Sequence, residues 1–348
     1  MAREPFRIAG VRIPPGSRRT LDLPAGHLYT HTPLTIPVQV LHGRRAGPCL
    51  VLSAAVHGDE INGVEIIRRL LRHKTLNRLA GTLVAVPIVN VLGFTARSRY
   101  LPDRRDLNRS FPGSEHGSMA ARLAWLYCGQ VLSHATHVID LHTAAVHRDN
   151  LPQIRADMED AGDEGLALAT GLPVIVHSPL IEGSLRAAAR EQGVPVVTYE
   201  AGEGLRFDEG AIRAGVRGVL RAMRELGMLP RGRGTAPVAA EPLVADATVW
   251  VRAPQDGILR AAVTLGAHVR QGQPMGWVAD PFGERETAVE APAAGVVIGR
   301  TNLPLVHQGE ALFHVARFER VGRVARRIEQ FSEALEQVDD DWEEPPIV

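Results

Sequence analysis

The sequence predicts an α/β protein, a mostly parallel mixed sheet flanked by helices, followed by a small all-β barrel at the C-terminus. Three observations point there. Between residues 46 and 230, short apolar runs alternate with amphipathic helical patterns, as in a parallel sheet covered on both faces. At 228–242 (MLPRGRGTAPVAAEP) the composition turns abruptly to Pro, Gly and Ala. Over 246–317, short strands recur with turn residues at near-regular intervals. The chain thus divides into an N-terminal β segment at 1–45, an α/β domain at 46–230, a linker at 231–245, a β-barrel at 246–317 and a helical, acidic tail at 318–348.

Each element has a local warrant. HLYTHTPLTIPVQVLHG, with alternating apolar residues and several prolines, reads as an antiparallel sheet edge. CLVLSAAV is a strand, and INGVEIIRRLLRH is a helix with apolar residues at 61, 64, 67, 70 and 71. TLVAVPIVN is a strand, MAARLAWLYCGQVL a helix and HVIDLH a strand. EGLALATGL and SLRAAAREQG read as helices around a short extended PVIVHS. VPVVTYE is a strand, and the last helix runs through AIRAGVRGVLRAMREL. In the C-terminal part, APQDGIL and APAAGVV form an internal pseudo-repeat. The tail carries a helical stretch, VGRVARRIEQFSEALEQV, and an acidic end, DDDWEEPPIV.

Composition limits the function. The 348 residues balance 39 basic against 39 acidic side chains, so net charge favours neither nucleic acid nor an anionic membrane as partner. Cys49 and Cys128 lie in apolar surroundings and read as buried thiols. The N-terminus shows no signal-peptide pattern and no run is long enough to span a membrane, so a cytoplasmic protein is expected. A single lysine, Lys74, sits in the polar stretch RHKTLNR, which disfavours Schiff-base and phosphate-loop chemistry.

Two apolar runs end in potential metal ligands. Leu50 to Val56 stops at His57, Gly58, Asp59 and Glu60, and Val138 to Leu141 stops at His142. In sheets of this class, sites form beyond the carboxyl ends of strands, where Glu200 also falls. Two imidazoles and a carboxylate are the ligand set of a catalytic zinc site with a fourth position open for water. Gly58 is expected to let the turn bend so that His57 and Glu60 converge. Taken alone, H-x-x-E reads more simply as acidic residues at a helix start. His142 shifts that balance, with Asp140 as a partner for its second nitrogen.

RYLPDRRDLNRSFPG, residues 99–113, is dense in arginine. Such density usually marks a solvated charge run. Asn108 and Arg109, however, sit between Leu107 and Phe111, as in a tethered loop. Arginine pairs bidentately with carboxylates, and another arginine here could face developing charge on a carbonyl oxygen.

HGDE at 57–60, DLNRSFPG at 106–113, DLHT at 140–143 and YEAG at 199–202 together resemble the succinylglutamate desuccinylase/aspartoacylase family, a branch of the zinc carboxypeptidase-like fold. The resemblance covers roughly 45–230. It implies that His57, Glu60 and His142 bind one zinc ion per subunit. Asn108 and Arg109 would hold the substrate carboxylate, Arg99 would polarise the scissile carbonyl, and Glu200 would be general base and acid. Arg105 is a rival to Arg99, and Glu203 a weaker rival to Glu200. The implied activity is a zinc-dependent amidohydrolase, a deacylase of small N-acyl amino acids. The alternatives are a metallocarboxypeptidase acting on peptide C-termini and a non-catalytic binding protein of the same fold. The C-terminal pattern resembles the biotinyl/lipoyl-like barrel, but DPFGERETAVEAP holds no lysine to modify, which leaves a structural barrel. Barrel and tail helix offer surfaces for homo-oligomerisation.

Overall fold

The computed structural model describes residues 3–231, 243–245, 247–318, 328–331, 333, 335 and 347. The first part of the chain runs β1 (Phe6–Ile8), β2 (Val11–Ile13), β3 (Ser17–His27), β4 (Pro33–His42), β5 (Arg45–Ala54), α1 (Asn62–Arg72) and β6 (Ala80–Val86). It continues through α2 (Val91–Ala96), α3 (Met119–Gln130), β7 (His137–His142), β8 (Arg148–Ala156), α4 (Ala161–Thr170), β9 (Val174–His177), α5 (Leu185–Glu191), β10 (Val196–Gly202) and α6 (Glu209–Glu225). The remaining strands are β11 (Leu243–Ala245), β12 (Ala247–Arg252), β13 (Gly257–Ala261), β14 (His268–Val269), β15 (Pro274–Ala279), β16 (Glu286–Glu290), β17 (Gly295–Thr301), β18 (Leu305–Val306) and β19 (Ala311–Arg317).

The centre of the molecule is a parallel set of four strands, β10-β7-β5-β6. Its strands are continuous apolar runs because both faces are covered. Along β5 the side chains alternate between two cores. Leu50, Leu52 and Ala54 pack with Ile66, Ile67 and Leu70 of α1 and Ile212 and Val216 of α6. Cys49 and Val51 pack with Leu123 and Tyr127 of α3 and Leu185 and Ala188 of α5. The N-terminal segment adds β4 and then β3 antiparallel at the β6 edge, in keeping with its alternating pattern.

The other edge differs from the reading of the sequence. β8 lies antiparallel to β10, and on its far side it pairs antiparallel with β17 of the C-terminal part. The C-terminal strands are therefore joined to the α/β domain through one continuous sheet. A four-stranded sheet, β16-β15-β13-β18, covers this extension, with Val251, Met275, Val278, Val297, Phe313 and Val315 between the two layers. The expected linker at 231–245 also needs correction: Leu243–Ala245 is a strand, parallel to β9, and 232–242 lies outside the described residues. Of the tail, only Phe318, helical residues among 328–335 and Ile347 are described. No described helix is long and apolar enough to cross a membrane.

Candidate active site

β5 and β7 are parallel neighbours, with Ala54 opposite Leu141, so the turn after β5 and the end of β7 meet at one edge of the sheet. Ala55, at φ +50°, starts the sharp turn that brings His57 back over the strand ends. Gly58 is needed for another reason than the one expected. It is not left-handed; its Cα lies against the backbone of Gly93 and Phe94, where a Cβ would overlap. The helix-start alternative for Glu60 is not what its side chain does, since α1 has Ile61 as N-cap with no side-chain cap bond.

Glu60 instead lies between the two imidazoles. His57 Nδ1 is 2.6 Å from its Oε1, and His142 Nδ1 is 2.6 Å from its Oε2. The Thr143 amide donates to Oε2 at 3.1 Å. All three side chains are nearly inaccessible, and their ligand atoms lie within 4.8 Å of one another. The outer nitrogens face carboxylates: His142 Nε2 meets Asp140 Oδ2 at 2.6 Å, and His57 Nε2 meets Asp106 Oδ1 at 3.1 Å. A proton held on each Nε2 leaves each Nδ1 lone pair toward Glu60. Ser53 Oγ donates to the other Asp140 oxygen at 2.7 Å, which fixes that carboxylate.

The electrostatics call for positive charge. Burial lowers the pKa of His142, but Asp140 and Glu60 outweigh it and raise the ring well above its ordinary value. His57 is likewise raised, burial being outweighed by Glu60 and Asp106. Burial pushes Glu60 up, yet the two imidazoles hold it far below the usual carboxylate range. Two nitrogens and a carboxylate oxygen, oriented from outside by further carboxylates, fit a divalent cation of the zinc type.

A cavity of about 290 Å³ opens over these donors. Glu200 lines it, and in the β10–β7 register Glu200 is the direct partner of His142. Its carboxylate accepts from Asn150 Nδ2 at 2.8 Å and lies 3.1 Å from Arg155 Nε. Arg99, Asn108 and Arg109 line the same cavity. Arg99 reaches Glu60 Oε1 at 3.3 Å and Asp106 Oδ2 at 3.1 Å. Asn108 is anchored where its Oδ1 accepts from the Leu185 amide at 2.9 Å. The two rivals lie elsewhere. Arg105 is largely exposed beside Asp103 and does not line the cavity. Glu203 accepts from the His147 amide and from Asn302 Nδ2, both at 2.9 Å, and so ties the loop after β7 to the C-terminal part.

Several lining residues carried no motif. Arg148, Asn150 and Arg155 come from β8, Arg186 from α5, and Trp250 and Arg300 from the C-terminal strands. Asp106 was part of a motif but had no role; it both contacts His57 and caps the turn at 107–109 by accepting from the Asn108 amide at 2.8 Å. A signal for Arg186 existed: it lies one turn from Ala189 on the buried side of α5, an unusual place for a charge.

The chain is similar to known proteins in sequence and fold. A family model described as the succinylglutamate desuccinylase/aspartoacylase catalytic domain matches residues 46–226, more than half of the chain. The N-alpha-acetyl-L-2,4-diaminobutyric acid deacetylase of Halomonas elongata is 28% identical over 295 residues, covering 81% of this chain and 85% of that protein. A product-bound structure of the ectoine utilization protein EutE (DoeB) from Ruegeria pomeroyi superposes with a TM-score of 0.76 at 26% identity, covering 86% of this chain and 95% of that one. A succinylglutamate desuccinylase from Silicibacter sp. TM1040 does so with 0.76 at 25%, covering 87% and 95%. Matched by family model over its α/β domain and by solved structures over most of its length, the chain belongs to the succinylglutamate desuccinylase/aspartoacylase family.

Proposed function

We propose that this protein is a cytoplasmic, zinc-dependent amidohydrolase that removes a short acyl group from the amine of a small N-acyl amino acid. The observation that carries the reading is the placement of Glu200 beside His142, in one cavity with the His57–Glu60–His142 donors and the Asn108–Arg109 pair. His57, Glu60 and His142 hold one zinc ion per chain. When bound, the ion supplies Lewis acidity, polarising the acyl carbonyl and lowering the pKa of water toward neutrality.

The other work falls to the chain. Glu200 takes a proton from the attacking water and returns it to the departing amine nitrogen, its carboxylate held in place by Asn150 and Arg155. Arg99, within reach of Glu60 at the cavity floor, offers its guanidinium to the carbonyl oxygen as negative charge develops. Asn108 and Arg109 grip the α-carboxylate and fix the scissile bond over Glu200. Trp250 and Arg300 close the cavity from the C-terminal side, which we read as a lipoyl-like barrel turned into a wall. A volume of about 290 Å³ is at the small end for ligand sites and favours a free N-acyl amino acid over a peptide C-terminus. The deacetylase name of the Halomonas relative supports the same reaction class.

The test is amine release from a panel of N-acetyl and N-succinyl amino acids by zinc-loaded protein, beside blocked dipeptides. Glu200→Gln is expected to abolish turnover while zinc stays bound; full activity in that variant would refute the assignment.

A further inference from the structure

A second cavity lies far from the reaction. It holds about 910 Å³ and opens between the start of β3, the junction of β4 with β5, and the segment from the end of α1 to β6. Arg45 begins β5 there, while the His57–Glu60 turn follows the other end of that strand, about 30 Å away. Arg18, Arg44, Arg45, Arg72, Lys74 and Arg78 line the cavity, and no aspartate or glutamate among the described residues does. In a chain whose basic and acidic residues balance, that is a strong local excess. Cations at the carboxyl end of α1 complement its dipole, which covers Arg72 and Lys74 but not the arginines brought by β3 and the β4–β5 junction.

Those arginines are held in place without a carboxylate. Arg18 Nη2 donates to the Leu71 carbonyl at 2.8 Å, and Arg45 Nη2 to the Arg78 carbonyl at 2.9 Å. The Arg44 side chain lies against Gly16, which has φ +77° and no Cβ to displace it. None of Arg18, Arg44, Arg45 and Arg78 forms an ion pair with a described carboxylate. Burial lowers the Arg18 pKa, with no neighbouring carboxylate to offset it. Beside them, Arg3 donates to the carbonyls of Gly43 and Gly81 and adds a further cation. Fixed guanidinium forks around one hollow match an anion with several charged oxygens. A hollow of this volume takes a small molecule. Apart from His42 and His73 no described ring lines it, so it lacks the stacking platform of a single-strand nucleic-acid site. Its leucines are buried or half-buried, so nothing apolar projects toward a lipid surface.

We propose that this hollow is a binding site for a small molecule carrying a chain of two or more phosphate groups, recognised by Arg18, Arg44, Arg45 and Arg78. The site is independent of the amidohydrolase reading. The phosphate chain comes either from an inorganic polyphosphate or from a nucleoside polyphosphate.

The single lysine of the chain, Lys74, lines the hollow and reports its occupancy. The full, zinc-loaded chain is treated with an amine-reactive ester in about 0.15 M salt, and modification of Lys74 is followed by mass spectrometry. Inorganic triphosphate is expected to protect Lys74, with half-protection at a concentration at least about tenfold below that of orthophosphate. Adenosine triphosphate is the second arm: better protection than by inorganic triphosphate assigns the site to a nucleoside polyphosphate, and equal or weaker protection to an inorganic one. Arg44→Gln combined with Arg78→Gln, both at exposed positions, is expected to raise the half-protecting concentration at least about tenfold. Arg270→Gln combined with Arg285→Gln, an equal loss of charge in the C-terminal part, leaves it unchanged. No protection, equal protection by orthophosphate, or equal losses in the two double variants overturns the proposal. So does stronger protection by a single-stranded oligonucleotide, by vesicles of anionic phospholipid, or by the acidic end of the chain as the peptide DDDWEEPPIV. The ligand comparison uses unmutated protein, so a misfolded variant leaves it standing.

Discussion

Replacing Asp140 by Asn isolates one charge at the proposed metal centre. Asp140 is buried and makes two contacts, to His142 Nε2 at 2.6 Å and to Ser53 Oγ at 2.7 Å. Asparagine has the same shape: its Oδ1 can still accept from the imidazole, and its amide can turn to the serine hydroxyl. What disappears is the negative charge that strengthens the imidazole as a donor and fixes its Nδ1 lone pair toward Glu60. Losing such an outer partner weakens metal binding about 10- to 100-fold, or about 1.4–2.8 kcal/mol. Zinc affinity is read by competition with a chromogenic chelator, with circular dichroism as a check that the fold is retained. Zinc affinity in Asp140→Asn within twofold of the unmutated protein would show that the Asp140 charge does not act through His142 and would undo the argument.

Other expectations follow from the same geometry. Gly58→Ala places a methyl group into the backbone of Gly93 and Phe94, and a cost of about 3 kcal/mol should appear as a lower denaturation midpoint together with lost zinc. Glu203→Ala removes two partly buried hydrogen bonds that link the loop after β7 to the C-terminal strands. It should lower stability by roughly 1–3 kcal/mol while turnover stays within about tenfold; a loss as deep as that of Glu200→Gln would reverse the two assignments. Burial pushes the thiols of Cys49 and Cys128 up to about 12, so neither should react with a thiol reagent at pH 8 until the protein is unfolded.

The parts of this molecule that were readable in the sequence share a physical cause. The strands β5, β7 and β10 are buried on both faces, so they stand out as apolar runs, and the polar residues that end them stand out in turn. His57, Glu60, His142 and Glu200 were singled out that way, and the structure brings them to one cavity. β8 was not found, because RDNLPQIRA presents Arg148, Asn150 and Arg155 to the cavity and so lacks the apolar alternation of a strand. The union of β8 with β17 joins Asn150 to Gly299 across about 150 residues of chain, and no local period records such a pairing. For that reason the C-terminal strands read as a separate appendage, and Trp250 and Arg300 were absent from the expected site. Gly58 was noticed for its residue type but given the wrong reason, since the close approach of Gly93 is a tertiary fact.

The most direct measurement is a zinc titration of metal-stripped protein, scored by amine release from an N-acyl amino acid. Activity is expected to be absent at the start, to rise in proportion to added zinc and to level off at one ion per chain, with His142→Ala inactive throughout. Full turnover in the stripped protein, or saturable zinc binding and activity in His142→Ala, would contradict the assignment of His57, Glu60 and His142 as the centre of the reaction.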